Sequence, residues 1–239
     1  MLLTGLMARF VLASQSPRRQ ELLKLCGYPF VTRAAKVDEN SVSHPNPAQD
    51  CIQTAQLKAS AVLEQIVVPE AGRNIVIAAD TTVALDGKMM GKPADAEDAR
   101  RMLVALRDRT HEVHTGVVIV DLDSGIELLD SHTAVVTMRP YTDKEIIDYI
   151  ATGDPLDKAG AYAIQNQEFK PVAKLVGCYL GVMGLSICHL LQMLDELDLP
   201  ARSRMALLHA AHQQYSCPIY DKIAQKLGKN DGELAGSVS

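Results

Sequence analysis

The sequence lacks the excess of basic residues that nucleic-acid-coating proteins normally carry. It has 24 lysines and arginines against 29 aspartates and glutamates, for a formal net charge of −5. Since such proteins usually present a basic stripe, we expect no nucleic-acid partner, and any site for an anion has to be local. A hydrophobic content of 47% over 239 residues is enough for a full buried core.

Cysteine is present, but without the spacing of a metal or redox motif. The five cysteines are an odd number, and no two of them form a CxxC pair. This fits reduced thiols in the cytoplasm better than a disulfide framework or a zinc site. We therefore expect a cytoplasmic protein whose cysteines pack in its core.

The sequence also lacks a clear targeting or membrane-spanning segment. Met1–Arg9 has a short apolar stretch without a positively charged region before it, which makes it a poor signal peptide. Val176–Leu194 carries no charged residue except His189, but three glycines interrupt it. A buried strand, a glycine turn and a buried helix explain this run better than a transmembrane helix, so we expect no membrane partner.

Apolar runs and helical patterns alternate along the chain, with no internal repeat. Phe10–Ala13 predicts a strand, followed by a helix with Ser16 as N-cap and Pro17 as its first residue. Further predicted elements are a helix over Pro47–Leu63, a strand over Ile75–Ala79, a helix capped by Asp95, strands near Val113–Val120 and Thr133–Met138, a helix from a capping box at Thr142 to Gly153, and a loop from Gly153 to Gln165. The pattern indicates the α/β class with a mixed sheet. Residues 1–200 form the expected domain, and 201–239 a polar, helical or flexible extension.

Arg18 and Arg19 fall in the first turn of the first predicted helix. The helix dipole disfavours a cation there by roughly 0.3–1 kcal/mol. A bound polyphosphate would offset this cost, because free helix N–H groups, serine hydroxyls and two guanidinium groups together form an anion site. Two ordinary surface arginines remain the alternative.

Two lysines are further candidates for the same site. Lys58 follows Cys51 by seven residues, so it points with the apolar stripe of its helix and needs an anion there, unless it extends from the edge of the core to solvent. Lys92 lies between Gly91 and Pro93 in a constrained loop, and it is ambiguous when taken alone.

Asp80 follows an apolar strand, and we expect it at the carboxyl end of that strand, where ligand sites in α/β sheets gather. It is the best candidate for a general base or a metal ligand, with a turn-capping aspartate as the alternative. His111 and His114 should face opposite sides of a strand, so they are not expected to share a metal ion.

Together these segments resemble the Maf family of nucleoside triphosphate pyrophosphatases, also known as septum-formation-inhibitor-like proteins. The matching blocks run in the expected order from about Phe10 to Leu199. They are LASQSPRRQELL at Leu12–Leu23, VDE at Val37–Glu39, QLKA at Gln56–Ala59, AADTTV at Ala78–Val83, GKPADAEDARRML at Gly91–Leu103, THEVHTGV at Thr110–Val117, DKAGAYAIQ at Asp157–Gln165 and VMGL at Val182–Leu185.

The resemblance implies an elongated mixed sheet with flanking helices, in two lobes around a cleft, as in inosine-triphosphatase-like enzymes. It also implies a homodimer and a divalent metal, Mg²⁺ or Mn²⁺. The implied reaction converts dTTP or UTP, and modified pyrimidine triphosphates, to the monophosphate and pyrophosphate, with a link to cell-division arrest. The alternatives are a non-catalytic, nucleotide-sensing regulator of septum formation and a 7-methyl-GTP pyrophosphatase.

The resemblance also implies a role for each candidate residue. Asp80 matches the proton acceptor, and Glu39 together with Asp80 matches the metal ligands. The implied phosphate-binding residues are Ser14, Arg18, Arg19, Lys58 and Lys92, and the implied base-selecting residues are Arg18, Thr81 and Gln165.

The sequence departs from the family pattern near the implied base-binding residues. Ala163 and Asn166 stand where glycines are common in the family. Ser186 stands where a proline usually follows the Gly184-Leu185 pair. Since Ala163 and Asn166 flank Gln165, they put the base preference in question and not the phosphate chemistry.

Overall fold

The sheet is the framework on which the candidate residues are placed. The computed structural model describes residues 8–66, 72–199, 210–211, 217 and 220–222. The strands are β1 (Arg9–Leu12), β2 (Phe30–Thr32), β3 (Asn74–Leu85), β4 (Lys88–Met90), β5 (Thr110–Asp121), β6 (Glu127–Met138) and β7 (Val172–Val176). The helices are α1 (Pro17–Lys24), α2 (Pro47–Leu63), α3 (Ala96–Leu106), α4 (Asp143–Ala151), α5 (Tyr179–Met183) and α6 (Ile187–Glu196).

All seven strands form one sheet in the order β2-β1-β3-β5-β6-β7, with β4 pairing to β3. β1 is parallel to both β2 and β3, whereas β3, β5, β6 and β7 pair in antiparallel fashion. The predicted α/β class with a mixed sheet is therefore confirmed. The sheet is elongated, since β3, β5 and β6 have 12 residues each and strands of that length extend about 40 Å.

The buried residues of β3 pack against different helices along the length of the strand. At its first half, Ile75 and Ile77 pack with α1 and α6 on one face, while Val76 and Ala78 pack with α2 on the other. Beyond Thr82, a separate cluster that includes Val83 joins the sheet to α3 and α4. Between these clusters lie Asp80, Thr81 and Thr82, which line the cleft described below together with Val83.

Local signals explain the helix boundaries. Asn46 caps α2 by accepting hydrogen bonds from the N–H groups of Ala48 and Gln49, and Pro47 is the first helical residue. Thr142 and Glu145 form the predicted capping box at the start of α4. Thus α2 has the bounds that the sequence predicted.

Two predicted segments differ from the structure. Between Gly153 and Gln165 lie two short 3₁₀ turns, Asp154–Asp157 and Ala159–Ala161, and the next strand begins only at Val172. The apolar run at Val176–Leu194 holds the end of β7 and two helices, α5 and α6, because Gly184 takes a φ of 123° that ends α5.

No helix in the described part of the chain is long and apolar enough to cross a membrane. The apolar beginning at residues 1–7 lies outside the described residues, as does most of the extension 201–239.

Candidate active site

A cleft of about 870 Å³ opens beside the middle of β3, within the usual range for a small-molecule site. Nine residues singled out from the sequence all line it: Ser14, Arg18, Arg19, Glu39, Lys58, Asp80, Thr81, Lys92 and Gln165. The structure therefore brings together residues that are spread over much of the sequence.

Asp80 lies inside β3 and not at its end, which corrects the sequence-based expectation. The strand continues to Leu85 because antiparallel β5 pairs with it, Asp80 lying opposite Gly116. On the other edge, β1 pairs with β3 only as far as Ile77, and β4 begins to pair at Val83. Among the described strands, this edge of β3 is thus open around Asp80, so side chains from both faces of the strand reach the cleft.

Lys58 connects the two acidic residues of the site. Its Nζ lies 2.7 Å from Oδ1 of Asp80 and 3.0 Å from Oε1 of Glu39, and its side chain is only 7% exposed. The prediction that Lys58 points inward toward an anion is confirmed. A buried cation needs such partners, because an isolated charge in the core costs several kcal/mol.

The close approach of α2 to the sheet places Lys58 there. A Cβ added to Gly116 would lie 2.7 Å from the backbone carbon of Cys51 and the backbone nitrogen of Ile52. In addition, the thiol of Cys51 lies 3.3 Å from the carbonyl oxygen of His114. Only a residue without a side chain permits this contact, so Gly116 sets the distance between α2 and Asp80.

The loop after β1 and the beginning of α1 form the cationic wall. Ser14 is buried and accepts a hydrogen bond from Ser16 N–H at 3.1 Å. Ser16 is the N-cap of α1, as predicted, but no side chain caps the helix. The N–H groups of the first turn are therefore available to an anion.

The two arginines of α1 are held differently. Nε of Arg19 donates to the carbonyl oxygen of Gly184 at 2.8 Å, and burial lowers the pKa of Arg19 against the opposing effect of Asp80 and Glu39. Arg18, by contrast, forms an ion pair with Asp157 at 3.1 Å, with 27% of its side chain exposed. Arg19 is thus fixed in the wall, whereas Arg18 is accessible to a ligand.

Asp157 and Lys158 line the cleft but were assigned no role from the sequence. Lys158 is buried and binds Oδ1 of Asp157 at 2.6 Å and Oδ1 of Asp154 at 2.8 Å. Burial raises the pKa of Asp157, but the Lys158 hydrogen bond and the Arg18 charge outweigh it and leave the pKa below its usual value. The only sequence signal was their place at the start of the DKAGAYAIQ block.

Thr81 belongs to a hydroxyl chain that sequence reasoning also missed. Its Oγ1 lies 3.0 Å from Oγ1 of Thr115, which donates to the carbonyl oxygen of Gly181 at 2.9 Å. A threonine hydroxyl has one proton and two lone pairs. Since Thr115 gives its proton to Gly181, Thr81 donates to Thr115 and offers the cleft only lone pairs.

Lys92 is exposed at the cleft, and among the described residues it pairs with no carboxylate. His111 and His114 lie in β5 with separate partners: His111 contacts the hydroxyl of Tyr162 at 2.8 Å, and His114 contacts that of Thr133 at 2.9 Å.

The chain is similar to known proteins over most of its length. Residues 9–197 match the Maf family, described as "Maf-like protein". A protein of Symbiobacterium thermophilum named dTTP/UTP pyrophosphatase is 42% identical over 194 residues, covering 81% of this chain and 96% of the relative. A protein of the same name from Alkaliphilus metalliredigens is 43% identical over 190 residues, covering 80% and 96%.

Among solved structures, a nucleoside-triphosphatase (dITP/XTP pyrophosphatase) of Mycobacterium abscessus matches 56% of this chain and 75% of its own at 14% identity and a TM-score of 0.36. A TM-score this low carries no argument about the site. The family match spans most of the chain and is supported by relatives above 40% identity along nearly their whole length, and this chain therefore belongs to the Maf family.

Proposed function

We propose that the protein is a nucleoside triphosphate pyrophosphatase that converts dTTP and UTP to the monophosphate and pyrophosphate. The observation that carries the proposal is the placement of Asp80 and Glu39 on one buried ammonium, Lys58, in a cleft whose other wall holds Arg18, Arg19 and a helix N-terminus. The acidic half suits activation of water, and the cationic half suits a triphosphate.

Asp80 is the proposed proton acceptor. Its side chain is 13% exposed, so it borders the cleft while Lys58 fixes one of its oxygens. The carboxylate is oriented before the substrate arrives, which lowers the cost of reaching the reactive geometry. We assign Asp80 the proton of the water that attacks the α-phosphorus. We assign Ser14, Arg18, Arg19, Lys58 and Lys92 to the triphosphate and the leaving pyrophosphate.

Glu39 and Asp80 also fit a divalent metal. Their carboxylates converge on the same Nζ atom, and carboxylate oxygens are the ligands that Mg²⁺ and Mn²⁺ prefer. When bound, such an ion would neutralise phosphate charge and make a water molecule more acidic. Lys58 offsets only part of the charge of the two carboxylates, and the remaining negative charge weakens the binding of a triphosphate unless a metal intervenes, which favours a catalytic site over a simple anion-binding one.

The preference for thymine and uracil is supported by the hydroxyl chain. Both bases carry an N3–H donor, whereas N3 of cytosine is an acceptor. Because Thr81 offers only lone pairs to the cleft, it accepts from thymine or uracil and repels cytosine. Gln165 lines the same cleft, and its amide can donate to a base carbonyl and accept at the same time.

The other expected properties are part of the proposal. We place the protein in the cytoplasm. We also propose that it is a homodimer, and light scattering on the purified chain would test this oligomeric state. The expected link to cell division stays a prediction, and it would be tested by expressing an inactive variant and measuring cell length.

Product analysis tests the proposed reaction. The protein is incubated with dTTP, UTP or 7-methyl-GTP in the presence of Mg²⁺, and the products are separated by chromatography. We expect monophosphate and pyrophosphate from dTTP and UTP, and little turnover of 7-methyl-GTP. Orthophosphate with a diphosphate would contradict the proposal, and binding without turnover of any triphosphate would favour the sensing alternative.

Asp80→Asn is the variant for the proposed base. It should abolish turnover and preserve triphosphate binding, because the amide cannot take the proton. Asp86→Asn is the control. Asp86 directly follows the last residue of β3, and its exposed carboxylate pairs with Arg109 at 2.6 Å. A wild-type rate of turnover in the Asp80→Asn variant would show that Asp80 is not the proton acceptor.

A further inference from the structure

Three cysteines that lie far apart in the sequence meet in the fold. The Sγ atoms of Cys178, Cys188 and Cys217 all lie within 4.8 Å of one another, and all three residues are buried. Cys178 is the N-cap of α5, Cys188 belongs to α6, and Cys217 comes from the C-terminal segment, beyond the family match at 9–197. None of the three lines the cleft.

The spacing of the sulfur atoms fits a tetrahedral metal site. Zinc–sulfur bonds of about 2.3 Å place two thiolates of a tetrahedral site about 3.8 Å apart. Sγ of Cys217 lies 3.9 Å from Sγ of Cys188. The sulfurs of the trio therefore need to move by no more than about 1 Å to reach the separation that zinc requires.

We propose that Cys178, Cys188 and Cys217 bind a Zn²⁺ ion that fastens the C-terminal segment to α5 and α6. Thiolates select soft cations such as zinc, and structural zinc sites hold two to four of them. The site is independent of the metal proposed at Glu39 and Asp80, which has only oxygen ligands.

His189 would have to move to take the fourth position, because neither of its ring nitrogens lies within 4.8 Å of all three sulfur atoms. It follows Cys188 directly, it is 8% exposed, and within the described part of the chain its Nε2 has no hydrogen-bond partner. Its Nδ1 contacts Oδ2 of Asp130. Metal-bound histidines typically hold a carboxylate with their other ring nitrogen, and Asp130 supplies such a carboxylate to His189.

A second histidine connects His189 to the cysteines. Nε2 of His132 accepts a hydrogen bond from the N–H of Cys178 at 2.8 Å, and the rings of His132 and His189 lie 5.0 Å apart. The three buried thiols, the buried His189 and the half-buried His132 therefore lie together at the junction of α5, α6 and β6.

The thiol of Cys188 is buried beside those of Cys178 and Cys217. Hydrogen bonds with Cys178 and Cys217, together with burial, raise the pKa of Cys188 well above its usual value.

The proposed role is to tether the segment beyond the family domain. Ala211 and Tyr220, on either side of Cys217 in the sequence, pack against the same hydrophobic core as α6. Hydrophobic contacts alone would hold a short segment weakly, whereas a bound zinc ion contributes its binding free energy to the docked state.

Cobalt substitution tests the site on the full-length, reduced protein. Co²⁺ bound to thiolates gives a near-ultraviolet charge-transfer band that carboxylate sites do not give. We expect the band to saturate at about one equivalent per chain and to disappear when Zn²⁺ is added. A wild-type protein without this band would overturn the proposal, whatever its pyrophosphatase activity.

Cys217→Ser separates the site from general cobalt binding. We expect the charge-transfer band to fall at least tenfold at equal Co²⁺, and limited proteolysis to cleave the C-terminal segment more quickly. Cys26→Ser is the control, because Cys26 is also buried in this core but does not belong to the trio. An undiminished band in Cys217→Ser would overturn the proposal, and circular dichroism with dTTP hydrolysis would verify that both variants are folded.

Discussion

Nζ of Lys58 lies 2.7 Å from Oδ1 of Asp80, and the lysine side chain is almost completely buried. The same nitrogen lies 3.0 Å from Oε1 of Glu39. One ammonium group therefore holds the proposed base and Glu39, its proposed partner in metal binding, and the proposed chemistry depends on it.

Lys58→Met removes this charge and keeps the length of the side chain. We expect kcat for dTTP to fall by at least about 10², the usual effect of losing one well-placed electrostatic group. The free energy of unfolding should fall by about 3 kcal/mol, because the variant leaves buried carboxylate charge uncompensated.

Lys144→Met is the matched control for Lys58→Met. Lys144 pairs with Asp148 at 2.6 Å on the exposed face of α4, and such surface pairs contribute little to stability. Steady-state kinetics and urea unfolding measure both variants. Equal effects in the two variants would contradict the role given to Lys58.

Gly116→Ala tests how α2 is positioned. Its new Cβ would lie 2.7 Å from backbone atoms of Cys51 and Ile52, which cannot rotate away as a side chain does. We expect a loss of about 1–3 kcal/mol in stability and a lower kcat, since α2 carries Lys58.

Gly91→Ala serves as the stability control for Gly116→Ala, because an added Cβ there meets nothing within 4 Å. It is used for thermal unfolding alone, since Gly91 borders the cleft. A Gly116→Ala protein with the unfolding temperature and kcat of the wild type would show that this contact does not set the site.

Thr115→Val tests the origin of the base preference. Without the Thr115 hydroxyl, Thr81 no longer has to donate its proton within the protein, so it can donate to N3 of cytosine. The ratio of kcat/KM for UTP to that for CTP should fall about tenfold.

Thr110→Val is the control on the same strand. Thr110 and Thr137 form a similar hydroxyl pair at 2.9 Å, but at an exposed position outside the cleft. The control should keep the wild-type ratio. If Thr115→Val also keeps it, the hydroxyl chain does not select the base.

Asp157→Asn tests whether an internal carboxylate competes with the substrate. The carboxylate of Asp157 binds the guanidinium of Arg18 at 3.1 Å. A phosphate of the substrate would need the same guanidinium. Removing its charge should lower KM for dTTP severalfold and leave kcat nearly constant. Asp86→Asn, which weakens the exposed pair with Arg109, should change neither value. An increase in KM for Asp157→Asn would mean that Asp157 orients Arg18 for binding.

The sequence predicted those elements whose signals are local. The bounds of α2 follow from its Asn-Pro beginning and its apolar stripe, and the inward direction of Lys58 follows from its spacing to Cys51. The strands β2 and β4 were missed because they have three residues each and are mostly exposed, so pairing with neighbours and not hydrophobic pattern defines them.

Contacts between distant segments were not predictable in the same way. Asp80 was placed at a strand end because Ile75–Ala79 is apolar and the next residues are polar, although pairing with β5 continues the strand. The chain from Thr81 through Thr115 to Gly181 depends on the register between strands and on the position of α5. Likewise, cysteine spacing alone could not show that Cys217 reaches Cys188.

The central claim is that water activated at Asp80 attacks the α-phosphorus of a pyrimidine triphosphate. Hydrolysis of dTTP in water labelled with heavy oxygen, followed by mass spectrometry of both products, tests it most directly. The account predicts one heavy oxygen in the monophosphate and none in the pyrophosphate. A heavy oxygen in the pyrophosphate, with an unlabelled monophosphate, would show attack at the β-phosphorus and contradict the account.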